Sequence, residues 1–119
     1  MTRMAHCCCG SLRAEATGEP AFVGACHCVE CQRRTGSPFG VSTYFRKEQV
    51  RTEGRSKVYV RCSDSGRKIE FHFCPDCGSS VFWHAEAVPD LIGIAFGAFA
   101  DSSMPRRRYP CGRRRGIPG

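Results

Sequence analysis

The chain has 119 residues, 41% hydrophobic and 24% charged, an ordinary globular balance that fits one domain with its own core, short enough for metal staples to add usefully to its stability. Its formal charge of +7 is unevenly spread: residues 101–119 hold six arginines against Asp101 and carry +5, leaving +2 on residues 1–100. A near-neutral body argues against nucleic acid as the partner of the core.

Ten cysteines leave a disulfide scaffold or a metal protein as the two classes to separate. The N-terminal residues Met1 to Cys7 lack the apolar core of a signal peptide, and no run of about 18 apolar residues occurs. The expectation is a cytoplasmic protein without a membrane span, where thiols stay reduced and the metal reading gains weight.

In chain order, Leu12, Ala14 and Ala16 alternate with Arg13 and Glu15, the period of a half-buried strand, which Gly18-Glu19-Pro20 ends. Phe22, Val23 and Ala25 lead into Cys26-His27-Cys28-Val29-Glu30-Cys31, and Glu30 to Arg34 suits one helical turn stopped by Gly36-Ser37-Pro38. Val41, Thr43 and Phe45 mark another strand, and the polar stretch Arg46 to Glu53 reads as a turn or short helix before Gly54. Lys57 to Arg61 and Arg67 to Phe73, joined by Ser63-Asp64-Ser65-Gly66, read as a hairpin. In its second strand Ile69, Phe71 and Phe73 face one way and Lys68, Glu70 and His72 the other. Val81 to Trp83 and a glycine-interrupted, bent run from Leu91 to Phe99 supply two more strands. The sum is a mainly β domain of about seven short strands over residues 1–100. From Asp101 the composition turns to Pro, Gly and Arg, which reads as a basic, flexible tail over residues 101–119.

Cys74-Pro75-Asp76-Cys77-Gly78 is half a tetrahedral zinc site, its glycine allowing a turn that aims backbone amides at the sulfurs. Cys7 and Cys9, two apart, would share one face of an extended segment, with Cys8 pointing away as a small buried hydrophobe. Cys7, Cys9, Cys74 and Cys77 together make a closed, structural four-thiolate site. Cys62, at a hairpin turn, and Cys111, in the tail, read as lone thiols.

That leaves Cys26, Cys28 and Cys31 as three ligands without a fourth, the pattern of catalytic zinc with an open position. Two zinc ions per chain are expected. Zinc held by three thiolates carries a formal charge of −1, so it is a weak Lewis acid better suited to activating an incoming thiol toward a small electrophile. Arg33 and Arg34 read equally well as a clamp for a substrate carboxylate and as two solvated arginines. His27 reads as a turn-packing side chain ahead of a donor to the metal site. His6, His72 and His84 receive no role, and Phe82, Trp83 and Phe96 are assigned to the core.

Three segments together resemble the glutathione-dependent formaldehyde-activating enzyme family. They are Cys7-x-Cys9-Gly10-Ser11-Leu12-Arg13, Cys26-His27-Cys28-x-x-Cys31-Gln32-Arg33-Arg34-Thr35-Gly36-Ser37-Pro38-Phe39 and Phe73-Cys74-Pro75-x-Cys77-Gly78-Ser79. The resemblance covers roughly residues 5 to 100. It implies a zinc-bound β-tent fold of small coiled sheets, with Cys7, Cys9, Cys74 and Cys77 similar to the structural ligands and Cys26, Cys28 and Cys31 to the catalytic set. It also implies a carbon-sulfur lyase whose partners are a small thiol, glutathione, and a small aldehyde, formaldehyde, giving S-hydroxymethylglutathione. The arginine-rich end departs from the family, whose members continue past the Leu91 to Phe99 strand with ordered, aromatic-containing sequence. The alternative is a non-catalytic, zinc-stapled binding module whose tail holds nucleic acid or an acidic partner, binding that would be steeply salt-dependent.

Overall fold

The computed structural model describes residues 1–63 and 66–104 and the backbone of 109–111. Two sheets carry the fold. The smaller pairs β1 (Thr2–His6), β2 (Arg13–Thr17) and β5 (Val50–Glu53) in the order β1-β2-β5. The larger is built from β3 (Phe22–Cys26), β4 (Gly40–Arg46), β6 (Lys57–Cys62), β7 (Lys68–Phe73), β8 (Ser80–Ala85), β9 (Leu91–Ala95) and β10 (Tyr109–Cys111). Its order is β10-β3-β4-β9-β8-β7-β6. All pairings are antiparallel except the β10–β3 edge. One short helix, α1 (Val29–Thr35), bridges β3 and β4 and ends on Gly36 in the left-handed region.

Alternation in the sequence explains the small sheet. Ala5 on β1 pairs with Ala14 on β2, and both face inward with Ala16. Three alanines keep that inner face shallow, so the larger sheet can approach with its bulky residues Phe45, Val81, Ile92 and Ile94. Leu12 and Phe45 are fully enclosed, and Phe99 closes the core against Phe45 at 6.1 Å between ring centroids. Thr43, buried on β4, donates its hydroxyl to the Ile94 carbonyl at 2.8 Å, which removes the cost of placing a polar group there.

The mainly β expectation, the one-turn helix and the Lys57 to Phe73 hairpin all match. Three strands escape the sequence pattern. In β1 the inward positions are Arg3 and Ala5 while Met4 faces solvent, which inverts the usual code. Arg3 is tolerated inside because Glu19 and Asp101 lie 3.7 and 3.9 Å from its guanidinium. The stretch Arg46 to Glu53 contains the expected turn, a 3-10 turn at Lys47–Gln49, and then becomes β5, which pairs with β2. The run from Leu91 to Phe99 is a strand only to Ala95, and Phe96–Phe99 winds into a 3-10 turn that places Phe99 in the core.

β10 is the third missed strand, aligned in parallel with β3 so that Cys111 sits at the register position of Cys26. Met104, also beyond residue 100, is buried in the core. The rest of the expected tail, residues 105–108 and 112–119, lies outside the described residues, as do Asp64 and Ser65 of the hairpin turn.

Candidate metal centres

Two turns that close in the same way meet at the first cysteine cluster. Between β1 and β2, the Gly10 amide donates to the Cys7 carbonyl at 3.0 Å and the Cys7 amide to the Leu12 carbonyl at 3.0 Å. Between β7 and β8, the Gly78 amide donates to the Cys74 carbonyl and the Cys74 amide to the Ser79 carbonyl, both at 2.9 Å. Each turn closes through a glycine at positive φ, Gly10 at 83° and Gly78 at 80°, where other residues are strained. The expected extended segment at Cys7 to Cys9 is therefore a tight turn. Its geometry turns Cys8 out to solvent instead of burying it, with the Cys8 amide donating to Ser79 Oγ at 3.2 Å.

The turns bring Cys7, Cys9, Cys74 and Cys77 together with all four Sγ atoms within 4.8 Å of one another. Cys7 and Cys9 are 3.6 Å apart at sulfur and Cys9 and Cys74 3.7 Å, too far for the ~2.05 Å bond of a disulfide. Sulfurs bound tetrahedrally to one zinc at ~2.3 Å lie about 3.8 Å apart, so the donor set fits that ion. Backbone amides already point at the buried sulfurs: Leu12 at Cys7, 3.3 Å, and Asp76 and Cys77 at Cys74, 3.4 and 3.5 Å. Such donors stabilise thiolate over thiol. Hydrogen bonding with Ser79, through its side chain and then its backbone, holds the Cys77 thiol down at about 5. At Cys7 burial pushes the thiol up, yet the Leu12 amide and the Cys9 thiol outweigh it and leave it at about 7.

The second cluster is built by the junction of β3 and α1. Cys26 ends the strand, Cys28 caps the helix in extended conformation, and Cys31 lies in the helix on its buried side. Their sulfurs also lie within 4.8 Å of one another, Cys26 and Cys28 at 3.4 Å, and no fourth ligand joins them among the described residues. Here the surroundings oppose ionisation. Hydrogen bonding to Cys26, burial, and charge on Cys26 and Cys28 push the Cys31 thiol far up, so three thiolates coexist only with a cation between them. Gln32 ties the loop by donating Nε2 to the His27 carbonyl at 3.0 Å, and the buried His27 ring lies 5.3 Å from Phe39, as a packing residue does.

Beside this cluster α1 forms one wall of a cleft of about 430 Å³ whose other walls are β6, β7 and the turn at Gly78. Arg34 lies over the Trp83 ring at 4.7 Å and near Phe71 at 5.4 Å, and Arg61 approaches Phe71 at 5.4 Å from its own strand. Arg61 and the two serines at the four-cysteine cluster, Ser11 and Ser79, are contacts that sequence reasoning missed. The serines directly follow the Gly10 and Gly78 turns, a local signal that was available, whereas Arg61 reaches the cleft only through strand pairing.

A model of the glutathione-dependent formaldehyde-activating enzyme family matches residues 2–111. The chain belongs to this family. The match runs through β10, past the end of the three cysteine motifs. A curated Fusarium vanettenii protein, provisionally named a glutathione-dependent formaldehyde-activating enzyme, is 32% identical over 94 residues. The alignment covers 76% of this chain and 50% of that protein, so the chain spans about half the length of the curated relative it matches. The crystal structure of a Rhodobacter sphaeroides protein is similar in fold, with a TM-score of 0.64 at 19% identity over 92% of this chain and 98% of that one. Among the described residues no helix is long and apolar enough to cross a membrane.

Proposed function

We propose that this member of the formaldehyde-activating enzyme family is a zinc-dependent, carbon-sulfur lyase-like enzyme that makes and breaks the adduct of a small thiol with formaldehyde. In the forward direction the thiol sulfur bonds to the aldehyde carbon and the thiol proton ends on the former carbonyl oxygen, so nothing is oxidised or reduced. Glutathione is the thiol and S-hydroxymethylglutathione the product in this reading. Its setting is the cytoplasm, in keeping with nine described cysteines that are all free thiols. The segment after residue 100 adds Met104 to the core and β10 to the large sheet, and its arginines are given no part in the chemistry.

The observation that carries the proposal is the contrast between four converging sulfurs in one cluster and three in the other. Cys7, Cys9, Cys74 and Cys77 would hold a structural zinc that joins the two turns. Cys26, Cys28 and Cys31 would hold a second zinc, whose chemistry is to stabilise a substrate thiolate at neutral pH. The chain's own part is to hold three sulfurs at one strand-helix junction, to leave Cys26 and Cys28 partly open to solvent, and to bring the substrate alongside α1.

The test is NMR exchange between free and hydroxymethylated glutathione in the presence of zinc-loaded protein. Acceleration is expected, together with a fall of about 100-fold or more for Cys28→Ser, the scale on which metal-site partners cost activity. Exchange no faster than the uncatalysed reaction would sink the glutathione and formaldehyde pair.

A second reading has one observation in its favour, the register that sets Cys111 beside Cys26. In this reading a fourth protein ligand completes the second site and both zinc ions are structural. Cobalt-substituted protein separates the two: an open site changes its visible spectrum when thiol is added and is indifferent to Cys111→Ser. A closed site behaves the opposite way.

A further inference from the structure

We propose that the cleft between α1, β6 and β7 is a carboxylate subsite that selects thiols bearing carboxylate groups, with Arg33, Arg34 and Arg61 as its anion-binding side chains. The inference rests on the thiol-adduct reading for the identity of the visitor, and its test is arranged to stand without turnover.

Three arginines and one acid, Glu30, line the same cleft. Clustered guanidinium groups ordinarily find carboxylates on the protein itself, yet none of the three forms an ion pair among the described residues. Two are held by aromatic faces instead: Arg34 over Trp83 and Phe71, Arg61 over Phe71. An arginine stacked on a ring is fixed in orientation while its in-plane N–H groups stay free for a planar anion, the arrangement that suits bidentate carboxylate recognition. Arg34 Nε is buried with no hydrogen-bond partner, a donor whose desolvation is uncompensated until an acceptor arrives.

Size and apolar lining agree with a small organic ligand. The volume of about 430 Å³ falls in the range of small-molecule sites, and Tyr59, Phe71 and Phe73 supply surface for a ligand's carbon skeleton. Tyr59 is 59% exposed on β6, an aromatic ring without a core role. Glu30 gives the cleft one negative group, the complement of an ammonium. The preferred ligand is therefore a peptide-like thiol with carboxylates and a single amino group.

The cleft also has the right neighbour. A point one Cβ away from Gly40 lies 2.8 Å from Arg34 Nη2 and 3.7 Å from the Cys31 side chain. One small molecule can thus present a carboxylate to Arg34 and its sulfur to the three-thiol cluster.

Binding is measured on the full, zinc-loaded chain by calorimetry with S-methylglutathione, which keeps both carboxylates and has no thiol to donate, and with its dimethyl ester. The acid should bind at least about tenfold more tightly than the ester, the scale of a lost charge-assisted hydrogen bond. Its affinity should fall as salt is raised. Arg61→Gln and, separately, Arg33→Gln should each remove most of that preference, and Arg61→Lys should restore only part of it. Both positions lie outside the core, and a circular dichroism melt checks that the variants fold. Equal binding of acid and ester, or two glutamine variants that bind like the parent, overturns the subsite. Binding that follows this pattern in protein inactive with every thiol tested upholds the subsite and sinks the enzymatic reading, so the two fail separately.

Discussion

Cys74→Ser should lower the melting temperature by about 15 °C or more and reduce bound zinc from two ions per chain to one. Cys74 is fully buried at the turn between β7 and β8, and its sulfur is the acceptor of the Asp76 and Cys77 amides. Replacing it leaves three thiolates and two amide donors without their strongest partner, at the buried side of a site whose Cys9 and Cys77 face solvent. Structural zinc contributes about 10–16 kcal/mol in peptides that have no other core. This chain has a core of its own, so a smaller loss of roughly 4 kcal/mol is expected, and at about 4 °C per kcal/mol for a domain of this size that gives the stated shift. A strong chelator should reproduce the loss in the parent protein. Cys8→Ser is the control, since Cys8 is exposed and outside the cluster, and it should melt within about 2 °C of the parent. Calorimetry with metal analysis decides: two zinc ions retained with an unchanged melt would remove Cys74 from the metal site.

The stability and the proposed chemistry draw on different kinds of surroundings. The four-cysteine cluster is wrapped by backbone: two glycine-closed turns, amides aimed at sulfur, and Ser11 Oγ between Cys9 at 3.2 Å and Cys74 at 3.3 Å. The serine and backbone donors there lower the cost of holding thiolates, although the Cys7 and Cys74 thiols push Cys9 up, and donors of that kind favour a bound cation. At the three-cysteine cluster Cys26 donates to the Cys28 sulfur at 3.4 Å, and the buried Cys31 is driven toward its neutral form. A site that stabilises its own thiolates poorly is the one suited to exchange a ligand.

Much of this was legible in the chain because the cysteine motifs are local. Cys74 and Cys77 sit in one turn and Cys26, Cys28 and Cys31 in six residues, so spacing alone predicts which sulfurs converge. Strands with ordinary alternation, such as β2 and β7, were equally readable. What failed was non-local. β1 places Arg3 inward, and its partners, Glu19 and Asp101, come from loops whose approach no pattern near Arg3 announces. β10 is three residues long and gains its identity from pairing with β3, while its composition reads as tail. Arg61 becomes a neighbour of Arg34 only because β6 and β7 lay it across Phe71. The rule that reads a half-buried strand works from side-chain periodicity and says nothing of which residue lies opposite.

Gly93→Ala should destabilise the protein by roughly 2–4 kcal/mol and disturb the cleft as well. Gly93, on β9, has Tyr44 of β4 on one side and Trp83 of β8 on the other. The missing side chain lets the Trp83 indole lie across β9 and donate Nε1–H to the Tyr44 hydroxyl at 3.2 Å. A Cβ built on Gly93 would run into that indole nitrogen and lie 2.6 Å from two further ring atoms. The ring cannot yield cheaply, because Trp83 is buried beneath Arg34 and packs on Phe71 at 5.6 Å between centroids. Overpacking of this kind costs about 1–3 kcal/mol and the lost hydrogen bond about 1 more. Trp83 is the sole tryptophan, so its fluorescence reports the event directly. The emission should move to longer wavelength as the ring is expelled toward water. Affinity for S-methylglutathione should fall with it, because Arg34 loses its platform. An alanine variant with the parent's melting temperature and emission maximum would mean that the indole does not lie over Gly93.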